Sequence, residues 1–397
     1  MSVRIICGDA LTELAKLPAD SIDSCVTDPP YGLKFMGKLW DHGIPGVPYW
    51  IEVLRVLKPG AHLLAFGGTR THHRLMCAIE DAGFELRDTL GWLFGSGFPK
   101  SHNGPWGGTA LKPAWEPIIL ARKPLIGTVA ANVQSYGTGG LNIDGCRIAT
   151  DGEVIHAPQS DPAKRGGVVG TDLGISNADV SDFQAAQRAS VKRANTMGRW
   201  PANVITDGSD EVLECFPESA GQLADVSDTA PSAKTSNVYG AMARIGEPSK
   251  DDTNDGDVGF KMKPGARRLD TGSAARFFYC AKASREDRND GLEGMRKTLL
   301  GTWGGEEDDL SEGTKLVFPR ANHHPTVKPT DLMRYLCRLV TPKGGTVIDP
   351  FCGSGSTLKA AELEGFSAIG IDLEADYCEI ARGRVGSDAP LFTETTA

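Results

Sequence analysis

The sequence predicts an α/β fold of Rossmann-like type, circularly permuted and interrupted by a large insert. Three observations predict it. Short apolar strands alternate with amphipathic helices over residues 1–124, the pattern of a largely parallel sheet with helical crossovers. The same alternation resumes at His324 and carries a Gly-rich turn between its last two strands. Between these stretches, residues 125–320 lose both periods and are punctuated by Gly, Ser, Asn and Asp.

Taken in order, Val3–Cys7 reads as a strand, Ala10–Leu17 as a helix and Ser21–Thr27 as a strand ending at Asp28. Pro48–Leu57 reads as a helix stopped by Pro59-Gly60. Then come a strand at His62–Phe66, a helix at Thr71–Ala82, and strands at Leu86–Trp92 and Pro117–Ala121. Inside 125–320, Pro201–Thr206 and Ala275–Lys282 (ARFFYCAK) resemble strands, while 158–182 and 225–257 are polar and fit segments that order only on a ligand. The final alternation is helix Asp331–Leu339, strand Thr346–Asp349, helix Ser356–Glu364, strand Ser367–Asp372 and helix Glu374–Arg384, followed by a frayed tail.

Composition narrows the classes. The chain has 397 residues, enough for one large domain plus an inserted one. No apolar run approaches a membrane helix, and the N-terminal MSVRIICGDA lacks a signal peptide's layout. Nine scattered cysteines contain no CxxC pair, which predicts reduced thiols in a cytoplasmic protein with no disulfide framework and no metal site. The net charge of −9 speaks mildly against nucleic acid. Residues 261–297 depart from it, with ten basic against five acidic side chains. That patch is either a solvated face or a phosphate-contacting surface.

The segment TVIDPFCGSGSTLKAAELEGFSAIGID has the layout of a nucleotide-binding βαβ unit. Gly353 and Gly355 let backbone approach a ligand where a Cβ would intrude. Asp372 ends the second strand nineteen positions after Gly353, the place from which a carboxylate takes ribose hydroxyls. Asp349, Pro350, Phe351, Cys352, Gly353, Ser354, Gly355, Asp372 and Leu373 are therefore candidate cofactor contacts. No Lys follows the glycines, so this is not a P-loop, and a third dinucleotide-type Gly is missing. Only one helix and a tail follow Asp372, so the third strand on this side must come from elsewhere. Val3–Cys7 is the best candidate, which makes the chain permuted. Asp9 would then lie beside a bound base, or simply cap the helix that follows it.

Asp28-Pro29-Pro30-Tyr31 ends the second strand. The prolines have no N–H, so carbonyls there are free to face a ligand. The Asp28 carboxylate and the Pro29 carbonyl would hold both hydrogens of one –NH₂ and turn its lone pair toward an electrophile. Tyr31 supplies a flat surface for a ring. This set suits an exocyclic amine on a nucleobase.

With these residues in view, the chain resembles the amino-group (N6-adenine/N4-cytosine) DNA methyltransferases in their beta arrangement. In that family DPPY is the catalytic signature, FxGxG binds S-adenosyl-L-methionine, and a target-recognition region lies between them. The likeness covers roughly residues 1–124 and 321–385. His324–Pro329 (HPTVKP) matches the element that contacts the methionine part of the cofactor, which adds Thr326, Lys328 and Pro329 as candidate contacts and Asp28 as a shared one. The resemblance implies Asp28, Pro29, Pro30 and Tyr31 as the catalytic set and in-line transfer of a methyl group without a metal. It also implies double-stranded DNA as partner, with the target base flipped onto Tyr31.

DPPY more often accompanies adenine N6, and a leading Ser cytosine N4, so adenine is expected, with cytosine as the alternative. The implied division is 1–124 and 321–385 catalytic, 125–320 target recognition and 386–397 a flexible tail. Arg267, Arg268, Arg276 and Lys282 are the candidate DNA contacts. Phe35 and Trp40 either shield the site or anchor their loop, and Gly95–Asn103 is placed along the target pocket. A homodimer and a cognate restriction endonuclease would fit the family.

Overall fold

The computed structural model describes residues 2–33, 43–97, 104–150, 189–219, 236–237, 240–241, 272–281, 287–292, 298–299, 319–320, 322–324 and 326–385. It divides into two units, Met1–Val212 with Phe277–Ala397, and Leu213–Arg276. The smaller unit contains two short antiparallel pairs, Glu218–Ser219 with Gly272–Ser273 and Ser236–Asn237 with Gly240–Ala241.

One nine-stranded sheet organises the larger unit. Its strands are β1 (Val3–Cys7), β2 (Ile22–Thr27), β3 (Leu57–Phe66), β4 (Glu85–Leu93), β5 (Trp115–Arg122), β6 (Val204–Thr206), β7 (Tyr279–Cys280), β8 (Thr346–Asp349) and β9 (Ser367–Asp372). They lie in the order β1-β9-β8-β2-β3-β5-β4-β6-β7. Only β5 runs against its neighbours; every other pair is parallel. The N-terminal strand does sit beside the last one, with Val3 opposite Ala368 and Cys7 opposite Asp372.

All six residues of β2 are buried, as expected of a central strand covered on both faces. Side chains alternate between two apolar clusters. Val26, Leu64, Phe66, Ile118 and Val347 join one, with Leu332 and Leu336 of α5 (Thr330–Val340) and Leu358 of α6 (Ser356–Leu363). Cys25, Leu63, Ala65, Ile119 and Ile348 join the other, with Leu14, Trp50 and Val53, and Ile79. These last four come from the helices Ala10–Leu14 (α1), Val47–Val56 (α2) and His72–Asp81 (α3). Each fully buried Leu or Ile contributes roughly 1.5–3 kcal/mol of transfer free energy. The polar residues of β2 are all satisfied: Asp23 by Lys58 and the Thr346 N–H, Ser24 by Thr341, and Thr27 by Asp349.

Two local expectations are corrected. The helix does stop ahead of Pro59-Gly60, at Val56, but the strand expected from His62 already starts at Leu57 and passes through that pair. Gly60 adopts φ 75°, and the register with β2 shifts there, so the pair forms a bulge inside β3. ARFFYCAK is not one strand either. Ala274–Phe277 forms a 3₁₀ turn and only Tyr279–Cys280 pairs, with the Tyr279 ring stacked on Tyr335 at 4.0 Å.

The helices that were not foreseen include Val129–Tyr136 (α4), capped by the Thr128 hydroxyl and closed by Gly137 at φ 79°. Its single buried residue is Asn132, whose amide clamps the β3 bulge. Asn132 donates to the carbonyls of Pro59 (2.8 Å) and Thr138 (2.7 Å) and accepts from the Ile126 N–H (2.9 Å). Among the described residues no helix is long and apolar enough to cross a membrane.

Candidate functional site

Strands β2 and β8 are parallel partners, with Ser24 opposite Val347 and Cys25 opposite Ile348. Their exits, Asp28 onward and Pro350 onward, therefore leave the same sheet edge side by side. A hydrogen bond from the Thr27 hydroxyl to Asp349 (2.6 Å) ties the two exits together. The Asp349 carboxylate also accepts from the Thr357 hydroxyl (2.5 Å) and the Phe351 N–H (3.1 Å). Burial pushes its carboxyl up to about 7 and nearby Asp28 adds to this, against the pull of those three hydrogen bonds. In the structure the Asp349 side chain is a strut between the two loops.

On the β2 side, Asp28 accepts from the Tyr31 hydroxyl (2.7 Å) on one oxygen and faces the Lys328 ammonium (2.9 Å) with the other. Pro29 is buried and Pro30 half-buried. The Lys328 Nζ donates to the Tyr31 hydroxyl at 3.2 Å, pairs with Glu116 at 3.2 Å, and lies 4.8 Å from the centre of the Phe66 ring. Burial alone would depress the Lys328 ammonium; Asp28 and Glu116 outweigh it and hold the group above its ordinary value. Gly68 leaves room for the tyrosine, since a Cβ there would sit 3.2 Å from Tyr31 Cδ2. A cleft of about 310 Å³, lined by Gly32, Leu33, Arg70 and Thr71, opens beside this group.

On the β8 side, Phe351 lies against Tyr49 and Trp50, with ring centres 5.8 and 6.4 Å apart. Cys352 is buried and anchors the turn through its N–H to the Ile371 carbonyl (2.9 Å). Gly353 and Gly355 have φ of 48° and 78°, and a Cβ on Gly353 would meet His324 Nε2 at 2.6 Å. Asp372 accepts from the Gly353 N–H (2.8 Å) and the Glu374 N–H (2.9 Å). Each of its oxygens keeps a lone pair for a further donor. Burial raises its carboxyl above the ordinary value. Leu373 beside it is 61% exposed, an apolar surface at the strand end.

The Ser354 carbonyl and hydroxyl both accept from Arg384, which is fully buried in the last turn of helix Ala375–Arg384 (α7). His324 packs its ring on Tyr377 at 4.6 Å and joins its Nδ1 to the Thr326 carbonyl at 2.9 Å. Burial lowers it to about 4, so it is neutral at pH 7. Thr326 is exposed, and buried Pro329 starts α5.

Asp9 caps α1, taking the Thr12 N–H at 2.9 Å and the Thr12 hydroxyl at 2.8 Å, while Gly8 donates to the Asp372 carbonyl at 2.9 Å. Arg276 bonds the carbonyls of Gly272 and Ser273 in its own turn. Arg267, Arg268, Lys282, Phe35, Trp40, residues 98–103 and the tail 386–397 lie outside the described residues.

Three supports escaped the sequence reading: Glu116, Arg384, and the segment 287–292. In that segment Asp287 accepts from the N–H (2.6 Å) and hydroxyl of Thr330, and Asp290 pairs with buried Lys359. A lone acid opening the apolar strand WEPIILAR was the one available signal for Glu116.

A family model described as DNA methylase matches residues 22–165 and 244–383, which include both loops of the site. The methyltransferase M2.DpnII of Streptococcus pneumoniae is 41% identical over 75 residues, 19% of this chain and 28% of that protein. M.ScaI of Streptomyces caespitosus is 31% identical over 80 residues, 20% of this chain and 26% of that protein. M.HindIII of Haemophilus influenzae is 24% identical over 195 residues, 34% of this chain and 63% of that protein. Each match spans less than two thirds of the relative's own length. Among solved structures, the cytosine-N4-specific PvuII DNA methyltransferase aligns over 100% of this chain and 88% of that one, with 15% identity and a TM-score of 0.45. The M1.HpyAVI–SAM complex aligns over 96% and 98%, with 13% identity and a TM-score of 0.40. The match to the family model covers more than half of the sequence, and the chain belongs to the N6/N4 amino-group DNA methylase family.

Proposed function

We propose that this protein transfers the methyl group of S-adenosyl-L-methionine to the exocyclic N6 amine of an adenine flipped out of double-stranded DNA. The observation that carries this is the meeting of Asp28-Pro29-Pro30-Tyr31 with the Phe351–Gly355 turn at one sheet edge, tied by Thr27 and Asp349.

The residues fit the cofactor by their chemistry. Asp372 is a carboxylate at the end of β9 with acceptor capacity left for two ribose hydroxyls, and exposed Leu373 next to it offers the base an apolar face. Asp349, Pro350, Phe351, Cys352, Gly353, Ser354 and Gly355 shape the turn, and Thr326, Lys328, Pro329 and Asp9 are the further cofactor contacts in this reading. When bound, the cofactor supplies a methyl carbon on a sulfonium, so the amine lone pair forms an N–C bond while the C–S electron pair returns to sulfur.

Asp28 and the Pro29 carbonyl accept the two amine hydrogens and aim the lone pair out of the ring plane. Tyr31, fixed by Asp28 and backed by Gly68, stacks on the flipped base. The negative pole at Asp28 stabilises charge as it grows on nitrogen, after which one proton leaves.

The leading Asp of the motif favours adenine N6; cytosine N4 is the other amine the same geometry serves. The strand order, with the cofactor turn last and β1 beside β9, supports a circularly permuted methyltransferase fold of the beta arrangement. Residues 125–320 form the target-recognition region in this reading, with Arg267, Arg268, Arg276 and Lys282 as DNA contacts. The setting is the cytoplasm, with a homodimer and a cognate endonuclease as the partners to look for.

Nucleoside analysis of DNA incubated with the protein and labelled cofactor tests the reading. N6-methyladenine is expected. N4-methylcytosine would move the assignment to the other base, and no methylated amine at saturating cofactor would refute it. Asp28→Ala is expected to lower transfer at least 10³-fold while cofactor binding by calorimetry stays within a few-fold.

A further inference from the structure

Asp28 does not face the cleft as an isolated carboxylate. The Lys328 ammonium, 7% exposed, lies 2.9 Å from it. Two such charges cancel, and a neutral pair is a poor counterpart for a nitrogen that gains a full positive charge during methyl transfer. Glu116 alters that count. Its carboxylate lies 3.2 Å from the same ammonium and brings the three-residue cluster to one net negative charge.

The ammonium donates to the Tyr31 hydroxyl and forms ion pairs with both Asp28 and Glu116. Topology explains how Glu116 arrives there. It stands at the start of β5, the one reversed strand, and the N-terminal end of a reversed strand lies at the carboxyl edge of its parallel neighbours. Every other strand reaches that edge with its last residues.

We propose that Glu116 is a positioning residue for methyl transfer: it holds the Lys328 ammonium away from the amine and leaves the Asp28 cluster with the one negative charge that matches the transient cation. This rests on the proposed reaction. In that step the amine lone pair becomes the N–C bond, the C–S pair goes to sulfur, and the nitrogen stays positive until a proton moves to an acceptor in the cluster or to water. Lys328 keeps its proton throughout.

The test compares wild type, Glu116→Gln and Glu116→Asp in single-turnover methyl transfer at saturating cofactor and DNA. Affinities are measured separately, and the Lys328 ammonium is followed by ¹⁵N NMR in cofactor-free protein. Glu116→Gln is expected to slow the single-turnover rate about ten- to hundred-fold while both dissociation constants change less than about threefold. Its Lys328 resonance is expected to titrate at lower pH than in wild type. Glu116→Asp keeps the charge and is expected to retain most of the rate.

A Gln variant as fast as wild type overturns the inference. So does an Asp variant as slow as the Gln variant, a loss that falls on affinity and not on rate, or a Gln variant without a cooperative melt, since each assigns Glu116 a different role. An inactive wild type refutes the proposed reaction itself, whereas any of these four results with an active wild type refutes only the part given to Glu116.

Discussion

Replacing Asp349 with Asn is expected to change how stability depends on pH. The carboxyl is 2% exposed, and burial first, then the nearby Asp28 charge, raise it from 3.8 to about 7. A carboxyl held above its unfolded value keeps its proton in the folded chain while the unfolded chain releases it. The folded state then binds more protons across that window, so the stability from this group is full in acid and is lost as pH rises toward about 7. Integrated between pH 5 and pH 8, the loss is about 2.5 kcal/mol.

Buried His62 and His324, both lowered from 6.5 to about 4, act in the opposite sense: they lose stability as pH falls through that range. The quantity to measure is therefore the difference between Asp349→Asn and wild type in urea unfolding at the two pH values. Asn is nearly isosteric and never ionises. The variant is expected to gain about 2.5 kcal/mol on wild type between pH 5 and pH 8, whatever its offset at pH 5. An offset that stays constant across pH would show that the carboxyl is ionised in the fold and that the strut is a charged one.

Two further substitutions probe the frame. Gly353→Ala places a Cβ 2.6 Å from His324 Nε2 at φ 48°, with a left-handed penalty of about 1–2 kcal/mol before the ring moves; cofactor affinity by calorimetry is expected to fall about tenfold or more. Asn132→Ala removes two buried hydrogen bonds and one half-buried one; the Pro59 carbonyl keeps the Thr138 hydroxyl, while the Thr138 carbonyl and the Ile126 N–H lose the partner Asn132 gave them, so urea unfolding is expected to report a loss of about 2–4 kcal/mol with no change in cofactor affinity.

Strands β1, β8 and β9 were legible to the residue because each is a short β-branched or apolar run between turn-forming residues. The meeting of Asp28 with the Gly-rich turn was legible too, since both follow strands and strands of a parallel sheet end on one side. What stayed hidden depends on partners far along the chain. Glu116 is a single acid in an apolar strand, and nothing local announces Lys328, more than 200 positions away. Arg384 reads as an ordinary cation closing a helix, yet it is buried beneath Ser354. Pro59-Gly60 reads as the break after a helix and gives no sign that a strand runs through it as a bulge held by Asn132. Periodicity reports which face of an element is apolar; it carries no information about which polar group completes another's hydrogen bonds.

The pairing of β2 with β8 has a consequence for synthesis. A ribosome emits Ser24 long before Val347, so through most of translation β2 waits with one edge open and no neighbour to cover it. A chain arrested near residue 320 would hold Asp28 and Tyr31 but neither Lys328 nor the glycine turn, and would present a sticky half-sheet. Premature products are thereby expected to be clients for chaperones and proteases.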